Sequence, residues 1–289
     1  MTQSHRCGFV AIVGRPNVGK STLLNQFVGQ KLAITSHKPQ TTQHNLLGIK
    51  TGPNGQILFV DTPGLHLRGQ NALNRALNKT AKNAISDVHT VLWMLEAGVW
   101  TKEDELVLKT LEKFTMPCIG AINKIDQIPD RSLLLPYLDT LAQRRKFYTL
   151  VPISAQRQIQ LDVLEQEILK TLPEGEAMFP AEQLSDRPLR FFAAEFLREQ
   201  LVRRYAQELP YQLMVEIESF QETKSLFRIL AVVGVERETQ KAIIIGKGGL
   251  ALKAAASAAR LEMEKFYARK VYLEVRVKVK EVLGANVTT

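Results

Sequence analysis

Apolar and polar positions alternate along this chain in short runs of two kinds. Residues 8–13 form a continuous apolar run, the mark of a strand buried on both faces. A glycine-bearing loop follows, and a helical pattern begins at Lys20. Residues 46–50 and 56–60 flank the turn-rich pentapeptide Thr-Gly-Pro-Asn-Gly and read as a hairpin. A helical pattern covers residues 71–85. Residues 89–95, 116–122 and 148–153 are short apolar strands, with helical patterns at 102–114, 132–145 and 161–172. Such alternation predicts an α/β domain over residues 1–175, a mostly parallel six-stranded sheet with helices on both faces.

The pattern then changes. Residues 173–186 carry two prolines, a glycine and several polar residues, and 176–187 read as a linker. Beyond it come an amphipathic helix at 189–206, strands at 211–220 and 226–235, and a short helix at 238–244. A turn at 246–249, an Ala-rich helix at 250–267 and a strictly alternating strand at 270–280 complete the order. Residues 188–289 are thus expected to form a separate α+β module.

Composition narrows the class. The 289 residues are 45% hydrophobic and 23% charged, as in an ordinary globular protein. No apolar run approaches the roughly 20 residues that span a bilayer. The first dozen residues contain no small-residue cleavage site, so no signal peptide is expected. Cys7 and Cys118 stand far apart in no metal-ligand spacing, which points to a reducing compartment. The net charge of +9 admits a polyanionic partner. Residues 237–280 hold 11 basic and 4 acidic residues, either a solvated face or part of a binding surface.

Residues 14–21, Gly-Arg-Pro-Asn-Val-Gly-Lys-Ser, fit the phosphate-loop pattern between a predicted strand and a predicted helix. Gly14 and Gly19 allow close backbone approach, and the loop amides sit at the positive end of a helix. Lys20 would neutralise β/γ-phosphate charge, and the Ser21 hydroxyl suits Mg²⁺. Phosphate loops do not choose a base. Asn123-Lys124-Ile125-Asp126, after a buried strand, can read guanine: Asn123 and the Asp126 carboxylate meet its edge and the Lys124 stem covers its ring. Ser154-Ala155, after the last strand, fits a backbone contact to the guanine carbonyl. Together these residues predict a GTP/GDP site.

Asp61-Thr62-Pro63-Gly64 closes the second hairpin strand. Asp61 would hold Mg²⁺ through water and the Gly64 amide would reach the γ-phosphate. Thr41 and Thr42 lie in a polar loop, where a threonine hydroxyl can join Mg²⁺ only when the γ-phosphate is present. Lys20, Thr42 and Gly64 are the candidate catalytic set. After Gly64 comes Leu65, which cannot orient a water as glutamine does in small GTPases, so slow intrinsic turnover is expected. Asn17 is either a K⁺ ligand or a turn residue. His37, His44 and His66 read as surface residues.

Residues 243–250 read Ile-Ile-Ile-Gly-Lys-Gly-Gly-Leu. A G-x-x-G pattern is weak alone, and Gly52–Gly55 matches it too. This copy joins two helices inside the basic segment. Side-chain-free glycines let a nucleic-acid backbone come close, clamping about four nucleotides of single strand. Ile245, Gly246, Lys247, Gly248, Gly249 and Lys253 are the candidate RNA contacts, with Arg260 a further candidate for phosphate. Phe266, Tyr267 and Tyr272 read equally as core or as stacking residues.

Taken with the Lys-Pro-Gln-Thr-Thr, Asp-Thr-Pro-Gly-Leu-His and Val-Pro-Ile-Ser-Ala segments and the final Val-Tyr-Leu-Glu-Val-Arg-Val-Lys-Val-Lys, the chain resembles the bacterial Era GTPases over nearly its whole length. The resemblance implies a P-loop GTPase domain followed by a type II KH domain, with Val18 and Thr22 among the nucleotide contacts. It also implies a cytoplasmic, monomeric GTP-switched factor that binds 16S ribosomal RNA near its 3′ end, is activated by that RNA and assists 30S subunit maturation. Peripheral contact with the inner membrane is implied as well. Two departures stand out: Gln43 replaces a usual arginine after the paired threonines, and the chain stops soon after its last strand, where many relatives continue as a helical tail. Competing readings are an RNA-binding protein that hardly hydrolyses GTP and a signalling GTPase recruited to anionic lipid.

Overall fold

The computed structural model describes residues 5–34, 46–61, 85–205 and 213–279. They divide into two compact units, with the break between Asp186 and Arg187. In the first, six strands stand in the order β2 (Leu46–Gly52), β3 (Gly55–Asp61), β1 (Arg6–Val13), β4 (Thr90–Glu96), β5 (Cys118–Asn123), β6 (Thr149–Pro152). Only β2 runs antiparallel, paired with β3 through a tight turn. The parallel strands are apolar almost without interruption because helices cover both faces. Ala11, Val13, Val91, Trp93 and Leu95 share one core with Val107 and Leu111 of α2 (Lys102–Leu111) and Leu141 of α3 (Leu134–Arg144). On the opposite face, any side chain at Gly48 would meet Leu24 of α1 (Lys20–Val28), and one at Gly55 would meet Leu169 of α4 (Leu161–Thr171). This layering carries the phosphate loop, the end of β4 and the guanine loop at the carboxyl ends of adjacent strands, where α/β sheets bind ligands.

The segment read as a linker is bound along the first unit as far as Ser185. Gln56, fully buried, accepts from the amides of Met178 (2.9 Å) and Phe179 (3.0 Å) and donates to the Phe179 carbonyl (2.8 Å). Phe179 packs on Cys7, Ile49 and Leu58. The Ile49 amide donates to the Leu184 carbonyl (2.9 Å), and the Ser185 hydroxyl donates to that of Leu47 (2.6 Å). The free edge of β2 is thereby covered, which explains a polar, proline-bearing stretch without a helical or strand period.

The second unit places α5 (Leu189–Arg204) and α7 (Leu250–Tyr267) against a three-stranded sheet. Its strands are β7 (Met214–Glu222), β8 (Leu226–Val235) and β9 (Lys270–Val279), with β7 antiparallel and β9 parallel to the central β8. A bulge interrupts β7 between Ile217 and Ser219. Phe266 packs tilted on Phe192 and edge-on against Phe196, both buried, and Tyr267 packs on Phe227 while donating to the Leu189 carbonyl (2.8 Å). Phe266 and Tyr267, both half-buried, therefore pack on the core. Tyr272 is exposed.

Candidate nucleotide site and nucleic-acid interface

The phosphate loop turns between β1 and α1. Val18 is fully buried and fixes the loop from below. Gly19 has φ 107°, and a side chain there would strike the Asn123 amide, so glycine is required for the two loops to approach. Asn17, exposed, takes a left-handed φ of 61°. The Lys20 ammonium donates to the carbonyls of Gly14 (3.0 Å) and Arg15 (2.9 Å). Burial pushes its pKa down to about 8, against the pull of Asp61. Ser21 and Thr22 lie half-buried in the first turn of α1, which contains no acidic residue to compete with phosphate. The Ser21 hydroxyl donates to Asp61 Oδ2 (3.3 Å), and Asp61 is fully buried.

Asn123 ends β5, and Lys124 follows in a left-handed conformation (φ 68°) that opens a 3₁₀ turn, Ile125–Gln127. Asp126 is exposed on that turn, its carboxylate accessible to a ligand. Asn123, 3% exposed, has a second task that spacing did not reveal. Its Nδ2 donates to the Val18 carbonyl (2.8 Å), and its Oδ1 accepts from the Ala155 amide (2.9 Å). It is a strut joining the phosphate loop, the guanine loop and the turn after β6. Ser154 is buried and its hydroxyl accepts from the Arg157 amide (3.1 Å), which shapes the turn that presents Ala155.

Two further residues went unnoticed in the sequence. Glu96 Oε2 accepts from both the Arg15 guanidinium and the Lys124 ammonium, the latter at 2.9 Å. Arg15 Nε lies 3.3 Å from Asp104 Oδ2, a fully buried carboxylate. Burial works to raise the Glu96 pKa, but Lys124 and Arg15 outweigh it and hold the carboxyl below its ordinary value. Neither residue belongs to a recognisable motif letter, so only proximity in space exposes them.

Thr41, Thr42, Gln43, Gly64, Leu65, His37, His44 and His66 lie outside the described residues. Among the described residues no group of three or more His, Cys, Asp or Glu could hold a metal. The Ser21 hydroxyl and Asp61 carboxylate are a hard-oxygen pair beside the phosphate loop. That donor chemistry fits Mg²⁺ shared with a nucleotide, since Mg²⁺ commonly takes one or two protein ligands and leaves the rest to phosphate and water.

In the second unit, α6 (Glu238–Ile245) and α7 are joined by Gly-Lys-Gly-Gly. Gly246, Gly248 and Gly249 have φ of 70°, 60° and 74°, all costly for a residue with a side chain. A Cβ on Gly246 would sit 2.6 Å from that of Ala251, whereas Gly248 and Gly249 face open space. Lys247 and Lys253 are exposed, Ile245 half-buried. The 18-residue α7 starts at this turn with no acidic residue in its first turn to offset its positive end. A groove of about 380 Å³ runs from Gly249 past Lys253, Ser257 and Arg260 to Tyr272 and Glu274 on β9. Arg260 pairs with Glu264 (2.8 Å), which limits its freedom to meet phosphate. Tyr272, 57% exposed with the Arg228 guanidinium 5.9 Å from its ring, is available as a stacking platform. Tyr205, buried, donates its hydroxyl to the Ile244 carbonyl (2.7 Å) and so anchors the end of α6 just before the turn.

A family model described as a 50S ribosome-binding GTPase matches residues 9–124, and one described as a KH domain matches residues 208–282. The chain is 51% identical to GTPase Era of Pseudomonas aeruginosa over 275 residues, covering 95% of this chain and 90% of that protein. It is 47% identical to GTPase Era of Xanthomonas axonopodis pv. citri, covering 97% and 94%. Its structure is similar to that of Aquifex aeolicus Era bound to GDP·AlF4⁻, with TM-score 0.91, 39% identity and coverage of 96% and 95%. The same values describe its similarity to Era in complex with MgGDPNP and nucleotides 1506–1542 of 16S ribosomal RNA.

Proposed function

This chain belongs to the Era family of GTPases, and from that premise we propose that it is a nucleotide-controlled factor that grips the 3′ region of 16S ribosomal RNA and assists maturation of the 30S subunit. The observation that carries the reading is one polypeptide holding two complementary phosphate-reading elements. One is a closed loop wired to a guanine-reading turn. The other is an open Gly-Lys-Gly-Gly turn beside a groove lined by Lys253, Arg260 and Tyr272. The RNA-bound relative supports the choice of RNA.

In the first unit, loop amides and Lys20 bind the phosphates, and Asp126 and the Lys124 stem hold guanine. Ser21 and Asp61 would hold Mg²⁺, which supplies charge neutralisation at the β- and γ-phosphates when bound. Asn17, on the crest of the phosphate loop, is the candidate ligand for K⁺, and turnover should then differ between K⁺ and Na⁺ salts. In the second unit the glycine turn meets the ribose-phosphate backbone, while the groove floor and Tyr272 meet bases. The factor acts as a monomer in the cytoplasm with peripheral inner-membrane contact. Its two thiols are free and buried, which suits a reducing compartment.

The test is GTP hydrolysis by the full chain with and without a 3′-terminal 16S rRNA fragment, paired with affinity for that fragment in the GDP and GTP forms. Faster turnover with RNA and tighter binding in one nucleotide state support the proposal. Equal RNA affinity in both states, with RNA-independent turnover, would reduce it to two unrelated sites.

A further inference from the structure

We infer that Glu96 is a positioning residue of the nucleotide site: its single carboxylate holds the arginine of the phosphate loop and the lysine of the guanine loop on one oxygen, so that base contact and phosphate retention act as one unit. The inference rests on the nucleotide-binding reading above and goes beyond its motif residues.

The backbone at Glu96 is fixed from several sides. It ends β4 in register with Asn123 at the end of β5, and the next amide, Ala97, donates to the Asn123 carbonyl (2.9 Å). The Tyr137 hydroxyl lies 2.8 Å from the Val99 carbonyl and 3.1 Å from that of Glu96. The carboxylate is therefore aimed before any ligand arrives. Its two cations come from chain positions 81 and 28 residues away, in opposite directions along the sequence. Arg15 is additionally held by Asp104, itself locked at the start of α2 by the Thr101 amide (2.9 Å) and hydroxyl (2.8 Å). Lys124 has no such second carboxylate in its ion pairs among the described residues, and its left-handed backbone is a conformation lysine adopts only under constraint.

Removal of the Glu96 charge therefore has unequal consequences. Arg15 keeps Asp104. Lys124 loses its only ion-pair partner among the described residues and faces a neighbouring guanidinium. Its stem is the part that would cover the guanine ring, so the effect reaches the base first. The phosphate loop feels it through the shared carboxylate and through the Asn123–Val18 hydrogen bond. A merely structural acid would act alike on free and liganded protein and independently of Lys124.

The experiment measures release of a fluorescent GDP analogue from the full chain by stopped flow, with melting of each variant in parallel. Glu96→Gln should speed release about tenfold, and that factor should shrink below about threefold in a Lys124→Met background, since both changes break one interaction. Glu96→Asp should restore much of the retention. Release within about twofold of the parent, or an undiminished factor in the Lys124→Met background, overturns the inference. If Glu96→Gln does not fold, the same cycle run between Arg15→Met and Lys124→Met decides the matter. Non-additive release supports a shared carboxylate, and additive release refutes it. A parent chain that fails to bind the analogue would instead sink the nucleotide reading itself.

Discussion

The phosphate loop and the Gly-Lys-Gly-Gly turn each open a helix with glycine, yet the protein holds them in opposite ways. Around the first, the missing side chain of Gly19 is replaced by the Asn123 amide, Val18 is fully buried, Lys20 is 7% exposed and Arg15 is gripped by two carboxylates. Around the second, Gly248 and Gly249 have no neighbour where a side chain would begin, and Lys247 stands in solvent. It is secured at its root, through Gly246 against Ala251 and Tyr205 on the Ile244 carbonyl, and by the Gly249 amide donating to the Gly246 carbonyl (3.1 Å). The contrast follows from the ligands. A nucleotide is one small molecule, and a cage whose groups are already aligned binds it tightly because little ordering remains to be done. A polynucleotide backbone is long and variable in shape, so bare amides and exposed cations suit it, with sequence read in the adjoining groove.

The contrast can be broken most directly at Lys20. Lys20→Ala should lower GTP affinity roughly a hundredfold, because a buried cation-phosphate pair is lost without a substitute; a fluorescence titration reads this, and near-parental affinity would mean the cage does not contain the phosphates. Next in size, Asp126→Asn should turn preference from guanine toward xanthine nucleotides by more than about tenfold, since the reversed donor pattern mismatches the guanine edge. Competition between GDP and XDP measures the switch, and an unaltered preference would take base reading away from this turn. In the open turn, Gly248→Asp should weaken binding of a 16S 3′-end oligonucleotide about tenfold by setting a carboxylate against phosphate, with GDP binding intact. Unchanged RNA affinity would make the turn a structural corner only. The smallest effect is expected at the root. Tyr205→Phe removes one buried hydrogen bond and should cost about 1 kcal/mol of stability and a few-fold in RNA affinity. Loss of stability with full RNA affinity would show that Tyr205 supports the helix and not the turn.

Much of this was legible in the residues. Helix Leu250–Tyr267 and strand Leu226–Val235 emerge with the bounds their pattern predicts, because one begins after glycine and the other is a largely apolar run that ends before Glu236 and Arg237. The strands before Glu96 and Asn123 shift by one or two residues, since pairing in the sheet, not apolar content, sets where a strand ends. The stretch 173–186, read as a linker, runs along the edge of β2 as far as Ser185. A segment that follows a sheet edge through backbone hydrogen bonds and one anchoring aromatic needs no period of its own.

The order of residues by itself determined the two modules, the glycine-bearing loop before Lys20, the Asn-Lys-Ile-Asp turn and the Gly-Lys-Gly-Gly turn, because each depends on near neighbours in the chain and on residue types with few substitutes. Tertiary structure alone decided that Asn123 braces three loops, that Tyr272 faces a groove while Phe266 and Tyr267 pack on the core aromatics, and that Glu96 gathers Arg15 and Lys124 onto one oxygen. Those partners come from distant positions, and the packing of helices against sheet is what brings their charges and hydrogen-bonding groups within reach.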